Sequence, residues 1–98
     1  MFSKSELLSI DTSYFNIFQL GCYSVCIQSV NTLHYWQICH EEFPTFKHCK
    51  VYHKHKSHQP YHRHSDKKSL KATVEMIQSH DAFVLNGRRP IKHTYTVV

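Results

Sequence analysis

Glycine, proline and acidic residues are scarce in this chain of 98 residues, which holds two Gly, three Pro and seven Asp and Glu. Two glycines cannot build the glycine-rich loops that hold nucleotide phosphates, and the chain lacks the Gly-x-Ser-x-Gly motif of a hydrolase nucleophile. The length excludes the large enzyme scaffolds, because a doubly wound sheet or an α/β barrel does not fit in one small domain. The composition therefore favours a small single domain that is not an enzyme and uses no cofactor.

Positive charge is concentrated in the second half of the chain. Residues 1–46 carry one basic and four acidic residues, a net charge of −3, whereas residues 47–98 carry eleven basic and three acidic residues, a net charge of +8. Within the basic half, residues 47–64 hold six His and five Lys or Arg. We predict an apolar, mildly acidic half (1–46), a His/Lys-rich linker or arm (47–64) and a basic module (65–98). Such asymmetry is typical of proteins that contact nucleic acid or an anionic membrane.

A run of 29 residues, Thr12–His40, contains no Asp, Glu, Lys or Arg. The run is long enough to span a membrane, but Asn and Gln interrupt it throughout, so a buried core element is the first expectation. Glu6 and Asp11 stand where the basic region of a secretory signal would lie. We therefore expect an intracellular protein, in the cytoplasm or an organelle.

Local patterns in the first half predict a mixture of helix and strand. Ser3 and Glu6 have the spacing of a capping box and predict a short opening helix. Residues 17–30 are rich in β-branched and aromatic residues and predict two strands or one bent strand. A second helix is expected to carry four apolar side chains at helical spacing, those of Leu33, Trp36, Cys39 and Phe43. It is expected to stop at Pro44.

The second half is expected to form a helix followed by a hairpin. Ser65 or Asp66 can cap a helix whose apolar face holds Leu70, Val74 and Ile77. A strand over residues 82–85 would then enter the Asn86-Gly87 turn, a dipeptide typical of two-residue hairpins. The alternative is that the helix continues to Leu85, with Gly87 as its cap. The predicted fold class is α+β, with an apolar strand/helix N-terminal half and a basic helix plus β-hairpin C-terminal half.

Four cysteines and paired histidines raise the question of a metal site. Tetrahedral zinc accepts Cys and His ligands, and the cysteine candidates are Cys22, Cys26, Cys39 and Cys49. The first two lie in an apolar, strand-like segment rather than a polar turn, so we expect the cysteines to be free thiols. The pairs His53/His55 and His62/His64 suit zinc, copper or nickel only as loose surface chelates. No specific metal site is predicted.

Residues 70–97 follow a pattern that is seen in one known family. Lys71, Ala72, Val74 and Ile77 precede Ser79-His80-Asp81-Ala82, and Asn86-Gly87-Arg88 and Thr94-Tyr95-Thr96-Val97 follow without a gap. This segment resembles part of the RNA-binding domain of small ribosomal subunit protein four. The earlier helix of that family has no counterpart in residues 50–66. The resemblance implies a helix and a hairpin that bind RNA.

Phosphate contacts are expected from six basic residues along one edge of the predicted helix and hairpin. These are Lys67, Lys68, Lys71, Arg88, Arg89 and Lys92. Basic edges of this kind bind the backbone of structured RNA, and Tyr52 and Tyr61 in the arm are available to stack on unpaired bases.

We therefore predict a small, ribosome-associated RNA-binding protein without a small-molecule substrate. Two alternatives stay open. One is a membrane-peripheral protein with residues 14–39 in the bilayer and the basic half on anionic headgroups. The other is a spurious reading frame that has no cooperative fold.

Overall fold

The computed structural model describes residues 1–42 and 48–88. The elements in chain order are α1 (Lys4–Leu8), β1 (Phe15–Leu20), β2 (Ser24–Ser29), β3 (Tyr35–His40), β4 (Cys49–Lys54), β5 (His62–Lys67) and α2 (Leu70–Leu85). The strands form one antiparallel sheet in the order β1-β2-β3-β4-β5. Each strand therefore pairs with the next one along the chain, as in a meander built from successive hairpins.

One face of the sheet, called the inner face here, carries the hydrophobic core. Val25 and Ile27 of β2, Trp36 and Ile38 of β3 and Val51 of β4 are completely buried. Their strands show buried residues alternating with half-buried ones. Because successive side chains of a strand point to opposite faces, these residues form one continuous apolar layer.

Both helices pack on the inner face. The predicted opening helix is confirmed as α1, where Ser3 and Glu6 form a reciprocal capping box. Helix α2 is capped by Ser69 and not by Ser65 or Asp66 as predicted, because the hydroxyl of Ser69 accepts the N–H of Ala72 at 3.1 Å. The buried residues of α2 recur every three or four positions, which gives the helix one inward face; they are Leu70, Thr73, Ile77 and Asp81.

The predicted fold class is wrong in its first half, which is rich in strands and not a mixture of strand and helix. The helix expected over residues 33–43 is replaced by β3. Trp36 and Ile38 point to the core and alternate with half-buried neighbours, which is the period of a strand and not of a helix. Hydrogen-bonded pairing of β3 with β2 on one side and β4 on the other stabilises the extended conformation. Phe43 and Pro44 lie outside the described residues.

The strand over residues 82–85 and the hairpin at Asn86-Gly87 are also wrong. Helix α2 continues to Leu85, and its buried Asp81 bonds to two hydroxyl groups contributed from outside the helix. Gly87, at φ +66°, lies just beyond the helix, where its N–H donates to the carbonyl of Val84 at 3.2 Å. A glycine with positive φ ends many helices, so the alternative prediction is the one observed.

Residues 47–64, expected as a linker or arm, contain strand β4 in the interior of the sheet, between β3 and β5. Three side chains of β4 are buried at every second position: Cys49, Val51 and His53. The high content of Lys and His concealed this alternation. His53 counts as a polar residue in a sequence pattern, but a histidine can be buried in its neutral form.

Residues 14–39, the segment considered for membrane insertion, lie in β1, β2 and β3 and in their connections. Several of their apolar side chains form the core described above. None of the helices within residues 1–42 and 48–88 has the length and hydropathy that a membrane crossing requires.

Candidate functional site

The basic residues predicted to contact RNA lie at two separate places. Lys67 ends β5, and Lys68 and Lys71 are exposed at the start of α2. Arg88 is exposed beyond the other end of α2, a helix of 16 residues, and such a helix is about 24 Å long. The expected single basic edge is therefore divided. The remaining two predicted residues, Arg89 and Lys92, lie outside the described part of the chain.

The four cysteines are not brought together. Cys26 and Cys39 are half-buried on the face opposite the core, Cys49 is buried on the inner face, and Cys22 is exposed. All four are free thiols. Burial raises the pKa of the Cys39 and Cys49 thiols above the usual value, which keeps both in the protonated form at neutral pH.

The second face of the sheet, called the open face here, is left uncovered by both helices. It presents aromatic, basic and amide groups together with two thiols and the carboxylate of Asp66: Asn16, Phe18, Gln19, Cys26, Gln28, Tyr35, Gln37, Cys39, Lys50, Tyr52, Lys54, Arg63 and Asp66. The rings of Phe18 and Tyr35 stack with their centroids 5.9 Å apart. Phe18 remains 59% exposed, so it offers a ring to solvent at this surface.

Cations lie beside the rings of the open face. The Nζ of Lys54 is 5.3 Å from the ring centre of Tyr35 and 4.4 Å from that of Tyr61. The guanidinium of Arg63 is 5.9 Å from the ring centre of Tyr52. These distances are within the range of cation–π attraction, which holds the charged groups over the face. Arg63 also pairs with Asp66, and Lys50 pairs with Glu41.

The inner face holds a group of three histidines, called the histidine triad here. His34 directly precedes β3, His53 belongs to β4 and His80 to α2. One ring nitrogen from each residue lies within 4.8 Å of those of the other two. Nε2 of His53 is 3.0 Å from Nδ1 of His34, and the ring centres of His53 and His80 are 5.0 Å apart. Three separate elements therefore place their imidazoles at one point.

A tight turn places His34 in the triad. Leu33 adopts φ +63°, a left-handed conformation that costs roughly 1–2 kcal/mol in a residue with a side chain. The turn is closed by backbone bonds between Leu33 N–H and the carbonyl of Ser29, and between Ser29 N–H and the carbonyl of His34. The side-chain amide of Gln28 also donates to the carbonyl of Leu33. This set of bonds turns the chain so that His34 is buried.

The triad is held in its neutral form. Burial, together with the neighbouring imidazoles of His34 and His80, lowers the pKa of His53 to about 3. The pKa values of His34 and His80 are also lowered, in both cases mainly by burial. Every member therefore keeps a nitrogen lone pair at neutral pH, and a neutral imidazole is a common ligand of transition metals.

A buried carboxylate lies next to the triad. Asp81 is completely buried and accepts hydrogen bonds from Tyr14 Oη at 2.7 Å and Thr32 Oγ1 at 3.0 Å. Its Oδ1 is 3.7 Å from Nδ1 of His80, too far for a hydrogen bond. Among the described residues, this buried nitrogen has no hydrogen-bond partner. Burial and the bond to Asp81 raise the pKa of Tyr14 to about 12, so Tyr14 remains a donor.

Further histidines surround the triad on its accessible side. These outer histidines are His55, His62 and His64, all exposed. The ring of His55 stacks on that of His34 at 4.4 Å, and Nε2 of His62 is 3.5 Å from Nδ1 of His53. An open pocket lies beside them, lined by His55, Gln59, Pro60 and His62. The buried ring of Trp36 packs against both groups, with its centre 4.3 Å from that of His53 and 5.2 Å from that of His64.

Sequence reasoning missed His34 and His80 as members of a cluster. Of the three members, the sequence pattern indicates only His53 as a loose ligand, in the pair His53/His55. The three residues are separated by 19 and 27 positions along the chain, and no motif of fixed spacing joins them. Their proximity depends on the register of β3 against β4 and on which side of α2 faces the sheet.

Comparison of the chain with models of known protein families, with curated proteins and with solved structures finds no match.

Proposed function

We propose that this protein binds RNA through unpaired nucleotides that lie on the open face of its sheet. One observation carries this proposal: aromatic and cationic side chains stand side by side on a face that neither helix covers. Bases that are not paired stack on aromatic rings, and their phosphates pair with Lys and Arg. An uncovered antiparallel face that only meets water is usually polar.

The register of the strands supports this arrangement. Tyr35 of β3 lies opposite Lys54 of β4, and Tyr52 of β4 lies opposite Arg63 of β5. Side chains opposite each other on adjacent strands have Cβ atoms about 4.5–5.5 Å apart. A base that replaces Lys54 or Arg63 over its ring would leave that cation next to the phosphate, and Arg63 would exchange its ion pair with Asp66 for the phosphate.

The wider charge distribution favours the same class of ligand. The chain carries a net charge of +5, which attracts a polyanion over several ångströms in low salt. Lys67, Lys68 and Lys71 lie together at the end of β5 and the start of α2. We assign these lysines to attraction of the RNA and not to the stacking site, because none of them lies over an aromatic ring of the described residues.

The experiment measures binding of a 12-nucleotide single-stranded RNA by fluorescence anisotropy, between 50 and 200 mM salt. We compare Lys54→Gln/Arg63→Gln with Lys68→Gln/Lys71→Gln, two double variants that remove the same amount of charge. We expect the open-face variant to bind about tenfold more weakly and to lower the salt slope by about two, or one for each lost phosphate contact. The helix-end variant should change affinity less than threefold.

Three results would contradict the proposal. One is a wild-type affinity that does not depend on salt over this range, since phosphate contacts release counterions. Another is an equal loss of affinity in the two variants, which is expected of a nonspecific polycation. The third is stronger binding to a fully paired RNA hairpin than to the single strand.

A further inference from the structure

We propose that His34, His53 and His80 bind a divalent transition-metal ion of the zinc class, through one ring nitrogen each. This site lies on the inner face and is separate from the open face proposed to bind RNA. A tetrahedral zinc ion with Zn–N distances of about 2.0–2.1 Å holds its nitrogen ligands about 3.3 Å apart. The ring nitrogens of the triad lie within 4.8 Å of one another, and the closest pair is 3.0 Å apart. The closest pair already has nearly this spacing, and the most widely separated pair would have to approach by at most about 1.5 Å on binding.

The ligand chemistry decides the class of ion. Three imidazole nitrogens suit zinc, copper, nickel or iron, whereas magnesium and calcium require oxygen ligands. The buried carboxylate of Asp81, which lies next to the triad, already accepts hydrogen bonds from Tyr14 and Thr32. Asp81 is therefore not required as a ligand, and magnesium is not expected to bind.

Acceptors stand close to the second ring nitrogens of His53 and His80. A histidine that binds a metal usually donates its other N–H to a carboxylate, a carbonyl or another acceptor. Asp81 Oδ1 is 3.7 Å from Nδ1 of His80, and His62 Nε2 is 3.5 Å from Nδ1 of His53. Nδ1 of His80 is buried with no hydrogen-bond partner among the described residues. With an ion bound to Nε2 of His80, Nδ1 of the same ring would donate to Asp81, so that both nitrogens would have a partner.

Exposed histidines connect the site to solvent. His34 and His53 are buried, and His80 is half-buried. The outer histidines and the pocket beside His55 and His62 lie between the triad and water. Three protein ligands and one exchangeable position are typical of zinc sites that hold a water molecule or a small anion.

Trp36 provides a direct signal for binding at this place. It is the only tryptophan in the chain, and its ring centre lies 4.3 Å from that of His53 and 5.0 Å from that of His80. The test titrates the full chain with zinc chloride by calorimetry and with nickel chloride by tryptophan fluorescence, because nickel quenches a nearby indole. We expect one zinc ion per chain, saturable quenching by nickel, and no response to magnesium chloride.

Variants separate the triad from surface chelation. We expect His80→Gln and His34→Gln to weaken zinc binding more than about 100-fold, beyond the 10–100-fold loss that removal of an outer-shell partner causes. The control His48→Gln replaces an exposed histidine that belongs neither to the triad nor to the outer histidines. Its zinc affinity should stay within about twofold of that of the wild type. The double variant His55→Gln/His62→Gln should weaken binding by less than about 100-fold. Circular dichroism establishes that each variant is folded.

Several results would overturn the proposal. Zinc binding that survives in His80→Gln and His34→Gln, or that disappears in His55→Gln/His62→Gln, would assign the ion to the outer histidines. Absence of zinc binding and of nickel quenching in the wild type would show that the triad is only a packed group of neutral imidazoles. If a triad variant does not fold, nickel quenching of Trp36 in His55→Gln/His62→Gln decides: quenching that persists supports the triad, and quenching that is lost assigns the ion to the outer histidines. RNA binding by the open face is measured without metal, so the two proposals can fail separately.

Discussion

The two faces of the sheet use the same strands for opposite purposes. Strand β4 shows this most clearly, because Val51 and His53 point to the core while Lys50, Tyr52 and Lys54 point to the open face. On the inner face burial removes charge, and the pKa of His53 falls to about 3. On the open face, cations stay in water over aromatic rings. A segment whose composition is basic throughout therefore forms an apolar surface and a basic surface at once.

The largest expected difference between the two faces is in stability. Ile38 and Gln37 are neighbours on β3, and Ile38 is completely buried whereas Gln37 is half-buried on the open face. We expect Ile38→Ala to lower the free energy of unfolding by about 2–5 kcal/mol, because it removes apolar contacts and leaves a cavity. Gln37→Ala should cost less than about 1 kcal/mol. Urea denaturation measures both. Similar losses would mean that the open face is also covered.

The next prediction is that acid pH destabilises the folded protein through the inner face. His53 has a folded-state pKa of about 3 against an ordinary value of 6.5. Between these values the unfolded chain binds more protons than the folded one, so stability decreases as the pH falls below about 6.5 and continues to decrease towards about 3. The pKa values of His34 and His80 are lowered too, which adds to the effect.

Thermal unfolding in the presence of a chelator, at pH 7 and pH 5, measures this loss without any contribution from bound metal. We expect a clearly lower melting temperature at pH 5. His48→Gln, which changes an exposed histidine, should show the same decrease as the wild type. A melting temperature that is constant over this interval would show that the inner-face imidazoles are in contact with water in the folded protein.

Local signals in the sequence predicted the elements that local chemistry determines. The capping box of Ser3 and Glu6 correctly predicted α1, and the β-branched segment at residues 17–30 correctly predicted strands. The segment of β3 has apolar residues that fit both a helical period and a period of two. Pairing with β2 and β4 decides between them, and this pairing joins residues that are distant in the chain. The Asn-Gly pair after α2 is likewise compatible with a hairpin or a helix end.

The candidate sites differ in how far they could be predicted. The sequence predicts that Tyr52 stacks on unpaired bases, because it stands among basic residues. The structure places Tyr52 on the open face, and its stacking on bases stays a prediction. Its cationic partner Arg63 could not be identified in advance, because the pairing of β4 with β5 contains an irregularity between Val51 and Tyr52. The triad could not be predicted at all, since three imidazoles from a turn, a strand and a helix meet only after the whole domain has folded.

The smallest expected effect on stability, and the sharpest test of the open face, comes from two phenylalanines. Phe18 lies on the open face with 59% exposure, and Phe83 lies on α2 with 36% exposure. Loss of one base-stacking ring costs about 1–3 kcal/mol of binding free energy, so Phe18→Ala should weaken binding of the 12-nucleotide RNA by about 5–150-fold. Its stability should change by less than about 1 kcal/mol. Phe83→Ala removes an equal ring from the other side of the molecule and should leave RNA affinity unchanged. Equal effects of the two variants would remove the distinction between the faces as far as RNA is concerned.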